Sequence, residues 1–139
     1  MKKDYSSIKV LNLTKCGLKD NSVFVLSETM KNCNCLETLI LDKNLLAGKK
    51  FNAIWLIFNW NCFLKKLSLA GCYLGDKSIE SIAYGLERIN YRTQLTHLNL
   101  SKNLISDSGG EVLANSLSNS NVAITHLVLS NNFIGDITG

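Results

Sequence analysis

Two histidines are the residues whose types and spacing come closest to a chemical site. His97 and His126 occupy the same position in two successive copies of a repeated leucine pattern. Equivalent positions on neighbouring strands lie about 5 Å apart, so the two rings should be close enough to bind a metal ion or to respond to pH. No carboxylate or thiol stands in neighbouring columns of these two copies, and two ligands are too few for a closed zinc site. We therefore favour two exposed histidines of a shared template, with no metal.

Three cysteines are a second candidate for metal chemistry. Cys33 and Cys35 precede Leu36, and Cys62 precedes Leu64 in the next copy of the pattern. Stacked turns would bring these thiols together, and thiolates are good zinc ligands. Small buried residues in the turns are the favoured interpretation, because free cysteine packs as a small apolar side chain. The five cysteines of the chain are an odd number without disulfide-like density, which predicts a reduced, cytoplasmic setting.

The sequence holds no arrangement of residues that is typical of an enzyme. It has no phosphate-binding loop, nucleophile elbow or metalloprotease motif, and its Ser, His and Asp residues lack a triad-like spacing. The net charge is +4, and only two of the 15 basic residues are arginines, Arg88 and Arg92. Such a weak, arginine-poor charge argues against nucleic-acid binding. We predict a non-catalytic protein with no cofactor, no small-molecule substrate and no nucleic-acid partner.

Neither a signal peptide nor a membrane-spanning segment is predicted. The first seven residues contain two lysines, but no apolar run follows them. The longest unbroken apolar run covers residues 53–58, far short of the length that a membrane span needs. We therefore expect no insertion into a membrane.

The elements that position these residues follow a leucine pattern that occurs five times. The pattern is L-x-x-L-x-L-x-x-(N/C)-x-L, and its copies start near residues 8, 36, 64, 95 and 124. Successive starts are 28 to 31 residues apart, a period that indicates stacked structural repeats. Alternating apolar residues such as Leu11 and Leu13 predict one strand per repeat, buried on one side. A small residue follows each strand, where an Asn can hydrogen-bond neighbouring backbone in the turn. These residues are Cys16, Asn44, Cys72, Asn103 and Asn132.

The second half of each complete repeat predicts a helix. Apolar residues recur 5, 8 and 12 positions after the last residue of the pattern, which places them on one helical stripe. They are Val23, Leu26 and Met30; Phe51, Ile54 and Phe58; Ile79, Ile82 and Leu86; and Gly110, Leu113 and Leu117, in which Gly110 is the departure. Asp20 or Asn21, Asp76 and Asp107 precede or open these helices, so we expect them to act as caps.

One strand and one helix cannot bury their own apolar faces, but a stack of such units can. We predict an α/β solenoid with a parallel sheet on the concave face and helices on the convex face. The repeat length, the full helix in each repeat and the near alternation of Cys and Asn after the strands resemble the ribonuclease-inhibitor-like class of leucine-rich repeats. The prediction is a single domain over residues 1–139 with about 4.5 repeats, as a segment of a longer solenoid or capped by a partner.

The resemblance implies a protein-binding function and leaves several versions of it open. The class includes structural proteins of cilia and the cytoskeleton, receptor sensor domains, ribonuclease inhibitors and GTPase-activating proteins. We expect an interaction scaffold, plausibly a subunit of a larger ciliary or cytoskeletal assembly. A sensor or inhibitor module is the alternative, although the basic charge does not suit the capture of a cationic ribonuclease. GTPase activation is a remote alternative that would require Arg88 or Arg92 as a donor.

The concave face is formed by positions 3, 5, 7 and 8 of each pattern, and we expect a partner to bind there. These positions are polar, short and modestly basic, which suits a partner with acidic patches. An unoccupied, solvated sheet face is the competing interpretation. The candidate residues are Asn12, Lys15, Ile40, Asp42, Lys43, Lys66, His97, Asn99, Lys102 and His126.

Two further surfaces are candidates for partner contact. The second helix is apolar nearly all round, which suggests a convex contact through Trp55, Leu56 and Trp60. The competing interpretation is that Trp55 fills a gap between helices and that Leu56 is a stray exposed residue. The third repeat carries extra residues after its helix, and Arg88, Tyr91 and Arg92 in this loop are types common at binding hot spots.

Overall fold

Each copy of the leucine pattern forms one three-residue strand, because only its central alternating segment is extended and buried on one side. The computed structural model describes residues 8–31, 33, 35–60, 63–89 and 93–135. Its strands are β1 (Val10–Asn12), β2 (Thr38–Ile40), β3 (Lys66–Ser68), β4 (His97–Asn99) and β5 (His126–Val128). They form one parallel sheet in the order β1-β2-β3-β4-β5, so every strand lies beside its neighbours in sequence.

The register of the sheet follows the leucine pattern. The central leucines of the five strands form one row, Leu11, Leu39, Leu67, Leu98 and Leu127. The inner members of this row are buried almost completely, whereas Leu127 on the terminal strand is 36% exposed. Burial of a leucine side chain contributes about 1.5–3 kcal/mol, so this row supplies a large part of the core energy. The predicted fold class and the five repeats in register are confirmed.

A helix follows each of the first four strands and packs on the leucine side of the sheet. The α-helices are α1 (Asp20–Met30), α2 (Ile54–Trp60), α3 (Asp76–Glu87) and α4 (Asp107–Asn119). The predicted stripe residues are buried in the core or packed against it in the first three repeats. The second repeat differs, since a 3₁₀ helix (Lys49–Ala53) precedes its short α-helix. Sequence periodicity did not predict this tighter turn, because Phe51 and Ile54 lie on the same side in either kind of helix.

The Asn residues after the strands tie successive repeats together. Asn103 Oδ1 accepts the backbone N–H groups of Cys72 (2.9 Å) and Leu74 (3.0 Å) in the preceding repeat. Its amide nitrogen donates to the carbonyls of Leu69 and Leu100, among others. Asn44 binds the turn of the first repeat in the same way. These bonds satisfy backbone groups that would otherwise be buried without partners. The sequence predicted a bond from the Asn to turn backbone, but not that the bond would join two repeats.

The predicted helix caps are wrong for Asp76 and Asp107. The helices begin at these residues, and the residues before them, Gly75 and Ser106, stand at the cap positions. The Asp76 carboxylate instead accepts the N–H and the hydroxyl of Ser106 in the next repeat, and Asp107 accepts the N–H of Gly135 at 2.6 Å. Sequence reasoning placed these bonds within one helix, although stacking brings the next turn within closer reach.

Asp20 forms a bond within its own helix and another to the next repeat. Its carboxylate accepts the N–H of Asn21 within its own helix (2.9 Å) and the N–H of Lys50 in the next repeat (3.0 Å). Hydrogen bonds from Ser106 lower the pKa of the equivalent Asp76, so that carboxylate stays ionised to a lower pH than an ordinary aspartate. Aspartates therefore join the helix start of the first, third and fourth repeats to the next repeat, whereas the second repeat has Gly48 at the equivalent position. Among the described helices, none combines the length and apolar character that a membrane crossing requires.

Candidate functional site

The concave face is a continuous surface on the side of the sheet away from the helices. Positions 3 and 5 of the pattern are the outer residues of each strand, and the register aligns them in two rows across the sheet. The first row is Val10, Thr38, Lys66, His97 and His126, and the second is Asn12, Ile40, Ser68, Asn99 and Val128. All ten predicted concave residues belong to these rows or to the turns that follow the strands. Whether they bind a partner stays a prediction.

Position 8 of every repeat adopts a left-handed backbone conformation. Lys15, Lys43, Gly71, Lys102 and Asn131 have φ angles between 54° and 66°. The cause is the continuation of the ladder beyond the strands, since the position-8 N–H bonds the next repeat, as from Lys43 to the carbonyl of Ala70 (2.8 Å). Gly and Asn tolerate this conformation, whereas a lysine there is strained by roughly 1–2 kcal/mol. Three repeats nevertheless carry lysine at this position.

Several predicted concave residues have structural hydrogen bonds. Asp42 Oδ1 accepts the Ser68 hydroxyl (2.6 Å) and the Ala70 N–H (2.9 Å) of the next repeat. Asn12 Oδ1 accepts the N–H of Thr14, and Asn99 Oδ1 accepts the N–H of Ser101. These oxygens stabilise the turns that carry the lysines. Asp42, the one acidic side chain at the concave positions, thus has a structural role, and four lysines outnumber it there.

The two histidines form a stacked pair. The ring centroids of His97 and His126 are 4.0 Å apart and their planes differ by 7°, which is closer than the predicted strand spacing. Each Nδ1 lies within hydrogen-bonding distance of the preceding threonine hydroxyl, 2.8 Å for Thr96 and 2.9 Å for Thr125. Sequence reasoning missed these threonines. Their place directly before each histidine was the available signal, but strand residues alternate in direction and a contact between successive side chains was not expected.

The histidine pair borders a shallow cavity of about 240 Å³ on the concave face. Ile40, Lys66 and Val128 line the same cavity. Desolvation lowers the pKa of His97 below its ordinary value, and repulsion from His126 and Lys66 adds to this effect. The His97 ring therefore resists protonation while no anion is near it. Among the described residues, no group of three or more His, Cys, Asp or Glu side chains is arranged to hold a metal ion.

The convex candidates pack closely against the rest of the molecule. Trp55 is half-buried and meets Tyr84 of α3 edge to face, with ring centroids 5.7 Å apart. Gly85 permits this approach, since a β-carbon on it would lie only 3.0 Å from Trp55 Cα and 2.6 Å from Phe58 Cδ2. Leu56 is also half-buried and packs against the core, so it is not a stray exposed residue. The side chain of Trp60 lies outside the described part of the structure.

A groove of about 370 Å³ remains between α2 and α3 beside Trp55 and Tyr84. Arg88, which follows α3, stacks on the Tyr84 ring at 3.4 Å and donates to the Tyr84 carbonyl at 3.1 Å. Sequence reasoning missed Tyr84 as the partner of Trp55 and of Arg88. The first contact joins two helices, and the second joins α3 to the residue that follows it. The other predicted loop residues, Tyr91 and Arg92, lie outside the described residues.

Within the part of the chain that the structure describes, no three cysteines come together as a metal site. Cys33 and Cys35 are half-buried, and Cys62 lies outside the described residues. Cys72 is buried beneath the turns and donates from Sγ to the Leu41 carbonyl at 3.2 Å. Burial raises the pKa of the Cys72 thiol to about 11, so it stays protonated and unreactive at neutral pH. This thiol fills a structural position equivalent to that of the Asn residues.

Comparison with known protein families finds a match over two of the repeats. The model of a family described as Leucine Rich repeat matches residues 61–83 and 93–114, which carry the third and fourth strands and most of the helices after them. Among proteins with curated functions, none is significantly similar in sequence to this chain. The matched repeats and the parallel sheet together identify the fold as a leucine-rich-repeat solenoid, as the sequence predicted.

Proposed function

We propose that this leucine-rich-repeat solenoid is a non-catalytic module that binds an acidic protein partner on its concave face. Leucine-rich repeats are generally protein-interaction modules, and stacked repeats offer long surfaces of this kind. The observation that carries the proposal is the column of left-handed turns with lysine at three of its five positions. Gly71 and Asn131 demonstrate that unstrained residues fit the same turn. Retained strain of this kind is typical of functional positions.

Charge favours an acidic partner. The concave positions hold four lysines, Lys15, Lys43, Lys66 and Lys102, against one carboxylate, Asp42. The Asp42 carboxylate bonds the next repeat and offsets one of these four charges, so the concave positions remain net positive. Complementary charge mainly raises the rate of association and excludes wrong partners, and its effect falls with added salt.

The finer version of the proposal is a structural subunit in the cytoplasm, held in a larger assembly of the ciliary or cytoskeletal kind. The repeat length and the helix in each repeat favour the ribonuclease-inhibitor-like class, which supplies such scaffolds. A sensor or inhibitor module is the alternative within the same class. Size-exclusion chromatography of the native protein at low salt distinguishes them, because a structural subunit elutes with fixed companions and a sensor elutes largely alone.

A convex contact is the second candidate, favoured by the groove beside Trp55 and Tyr84. Its aromatic lining and the neighbouring Arg88 are of the types enriched at binding hot spots. Against it, Trp55 and Leu56 already contribute to packing within the chain. GTPase activation would need a free arginine donor, whereas Arg88 is held on Tyr84. A GTP-hydrolysis assay with the purified chain tests this remote function.

The experiment is affinity capture from an extract of the native source with two charge-matched variants. One carries Lys15→Gln, Lys43→Gln, Lys66→Gln and Lys102→Gln on the concave face. The control carries Lys19→Gln, Lys49→Gln, Lys50→Gln and Lys77→Gln, which are exposed positions outside the concave face.

Both variants lose four positive charges, so a general charge effect alters them equally. We expect proteins captured by the unmodified chain to be lost from the concave variant and kept by the control. Equal capture by both variants would contradict concave binding. If the captured proteins are lost only when Trp55→Ala or Tyr84→Ala is introduced, the contact lies in the convex groove.

A further inference from the structure

We infer that His97, His126 and Lys66 form a carboxylate-binding site that takes up protons as it binds an acidic segment of the partner. This inference rests on the proposed function, because it names the chemistry that one part of the concave face would recognise. The three residues occupy adjacent strands at equivalent register and border the same cavity of about 240 Å³. The site is thus built from three successive repeats and needs no rearrangement of the sheet.

The threonines allow each ring to change its protonation state without losing a partner. Besides its histidine, the Thr96 hydroxyl lies 3.4 Å from the Lys65 carbonyl, and the Thr125 hydroxyl lies 3.3 Å from the Thr96 carbonyl. A hydroxyl can donate to a ring Nδ1 that lacks a proton. It can equally turn toward the carbonyl and accept from a protonated Nδ1. The polar surroundings of both rings therefore suit the neutral and the cationic form.

The other ring nitrogens are available to a ligand. Within the described residues, neither Nε2 has a hydrogen-bond partner, whereas each Nδ1 has its threonine. Because the rings are stacked in parallel and each turns Nδ1 toward its own threonine, the two Nε2 atoms lie on the same side of the stack. Two protonated Nε2–H groups side by side match the two oxygens of a carboxylate.

The charged groups around the pair favour an anion. Lys66 on β3 faces His97 from one side and His126 on β5 faces it from the other. Lys43 and Lys102 lie farther along the concave face, in the turns after β2 and β4, and do not line this cavity. Asp42 is the one acid of the concave face, and its hydrogen bonds hold it against β3. A carboxylate bound beside His97 and Lys66 would replace this repulsion by attraction, which favours the protonated form of His97.

A protein carboxylate suits the cavity better than a nucleic-acid phosphate. Ile40 and Val128 line it beside the charged groups, and the aliphatic stem of an acidic side chain can pack on such residues. Nucleic-acid recognition favours arginine, and the concave positions contain none. Octa-aspartate is therefore the appropriate probe, since its carboxylates stay largely ionised at pH 5.5.

The test is fluorescence anisotropy of labelled octa-aspartate with the full chain at pH 7.5 and 5.5 and constant low ionic strength. The matched variants are His97→Gln with His126→Gln, Lys66→Gln, and Lys77→Gln as a control of equal charge outside the concave face. Labelled octa-asparagine controls for the peptide backbone, and a ten-residue oligothymidylate tests for a nucleic-acid site. Circular dichroism checks that each variant is folded.

We expect the unmodified chain to bind octa-aspartate at least tenfold more tightly at pH 5.5, because contact with an opposite charge shifts a histidine pKa by one unit or more. The histidine variant should retain less than a twofold pH effect. Lys66→Gln should weaken binding at both pH values, and Lys77→Gln should do so less. A pH effect that survives in the histidine variant would overturn the inference, as would no binding of octa-aspartate or tighter binding of the oligothymidylate.

This outcome is separable from that of the proposed function. The peptide titration uses only the purified chain and a synthetic probe, whereas the capture experiment depends on a natural partner. If the concave lysine variant loses its captured protein but octa-aspartate does not bind, the concave function stands and the carboxylate site fails. If octa-aspartate binds as expected but no protein is captured through the concave lysines, the proposed function fails and the anion site remains.

Discussion

Lys15, Lys43 and Lys102, which have a left-handed backbone conformation, are the residues at which stability and binding most clearly oppose each other. The turn after each strand requires a positive φ angle, because its N–H must continue the ladder to the next repeat. Lysine has no intrinsic preference for that conformation, so its presence needs an explanation outside the turn. The explanation offered by the proposed function is that its charge contacts a partner.

Lys43→Asn should therefore stabilise the chain and weaken partner binding. Asn tolerates the left-handed conformation, so we expect a gain of about 0.5–1 kcal/mol in the free energy of unfolding. Lys66→Asn is the control, since Lys66 lies in an extended strand and its replacement relieves no such strain. Urea unfolding and a binding titration measure both effects. A Lys43→Asn variant that is no more stable than the Lys66→Asn variant would contradict the strain argument.

His97 should make the stability of the unliganded chain depend on pH. Desolvation, His126 and Lys66 lower the pKa of His97 in the folded chain, whereas an unfolded histidine protonates near its ordinary value of about 6.5. As pH falls through that value, the unfolded state takes up the proton first, so the His97 contribution favours unfolding.

Thermal unfolding at pH 7.5, 6.5 and 5.5 measures this effect. We expect the melting temperature to fall with acidification, and to fall less in the His97→Gln variant. Addition of octa-aspartate should reduce the fall in the unmodified chain. An identical pH profile for the unmodified chain and the variant would show that His97 contributes nothing to it.

At the scale of elements, close packing between α2 and α3 should make a substitution at Gly85 costly, whereas Gly110 in α4 has room for a β-carbon. Gly85→Ala would push a β-carbon into Trp55 and Phe58, so we expect a loss of about 1–3 kcal/mol. Gly110→Ala in α4 would meet Ile134 at an ordinary 3.4 Å and should gain about 0.5–1 kcal/mol from its better helix propensity. Urea unfolding of both variants tests the pair. Gains at both positions would contradict the tight approach of α2 to α3.

The Asn ladder gives a second prediction for the elements. Asn103→Ala would leave the buried N–H groups of Cys72 and Leu74 without their acceptor, at a cost of about 2–4 kcal/mol. Asn132→Ala is the milder counterpart, because Asn132 is only half-buried and accepts the single N–H of Ile105. Its loss should cost about 1 kcal/mol. Chemical denaturation measures both losses. A loss for Asn103→Ala no larger than that for Asn132→Ala would contradict the greater cost assigned to its two buried N–H groups.

The sequence predicted the strand and the helix that lie within each copy of the pattern. The alternation around Leu39 and Leu67 gave the strands, and the helix stripe of Ile79, Ile82 and Leu86 gave the buried face. It failed where a bond joins two repeats, as for Asp76 and Ser106, because one copy contains no information about which atoms of the next copy come within reach. The edge-to-face contact of Trp55 with Tyr84 was missed for the same reason.

The candidate site was predicted as a surface, but not in its details. The columns of the concave face followed directly from the period of the repeat. The left-handed turn could have been suspected from Gly71 and Asn131 in one column, but the lysines in that column do not share the preference. The stacking of the histidines and the role of Thr96 depend on side-chain torsions, which a residue pattern does not determine.

At the scale of the whole molecule, the described strands and helices form a row of units, each of which contacts its neighbours in sequence. Each strand pairs with the strands next to it in sequence, and the helices pack in the same order. Stability is then close to a sum over repeats and their interfaces, and a long, preorganised face needs no conformational change to bind. A partner that binds across β3, β4 and β5 would also connect their repeats and should stabilise the stack.

The most direct test of concave binding is a backbone NMR titration of the ¹⁵N-labelled chain with the protein recovered by affinity capture. We expect the largest shift changes in the strands and turns of the concave face, at Lys43, Lys66, His97 and Lys102, with little change in α3. Shift changes confined to Trp55, Tyr84 and Arg88 would contradict the account and assign the interface to the convex groove.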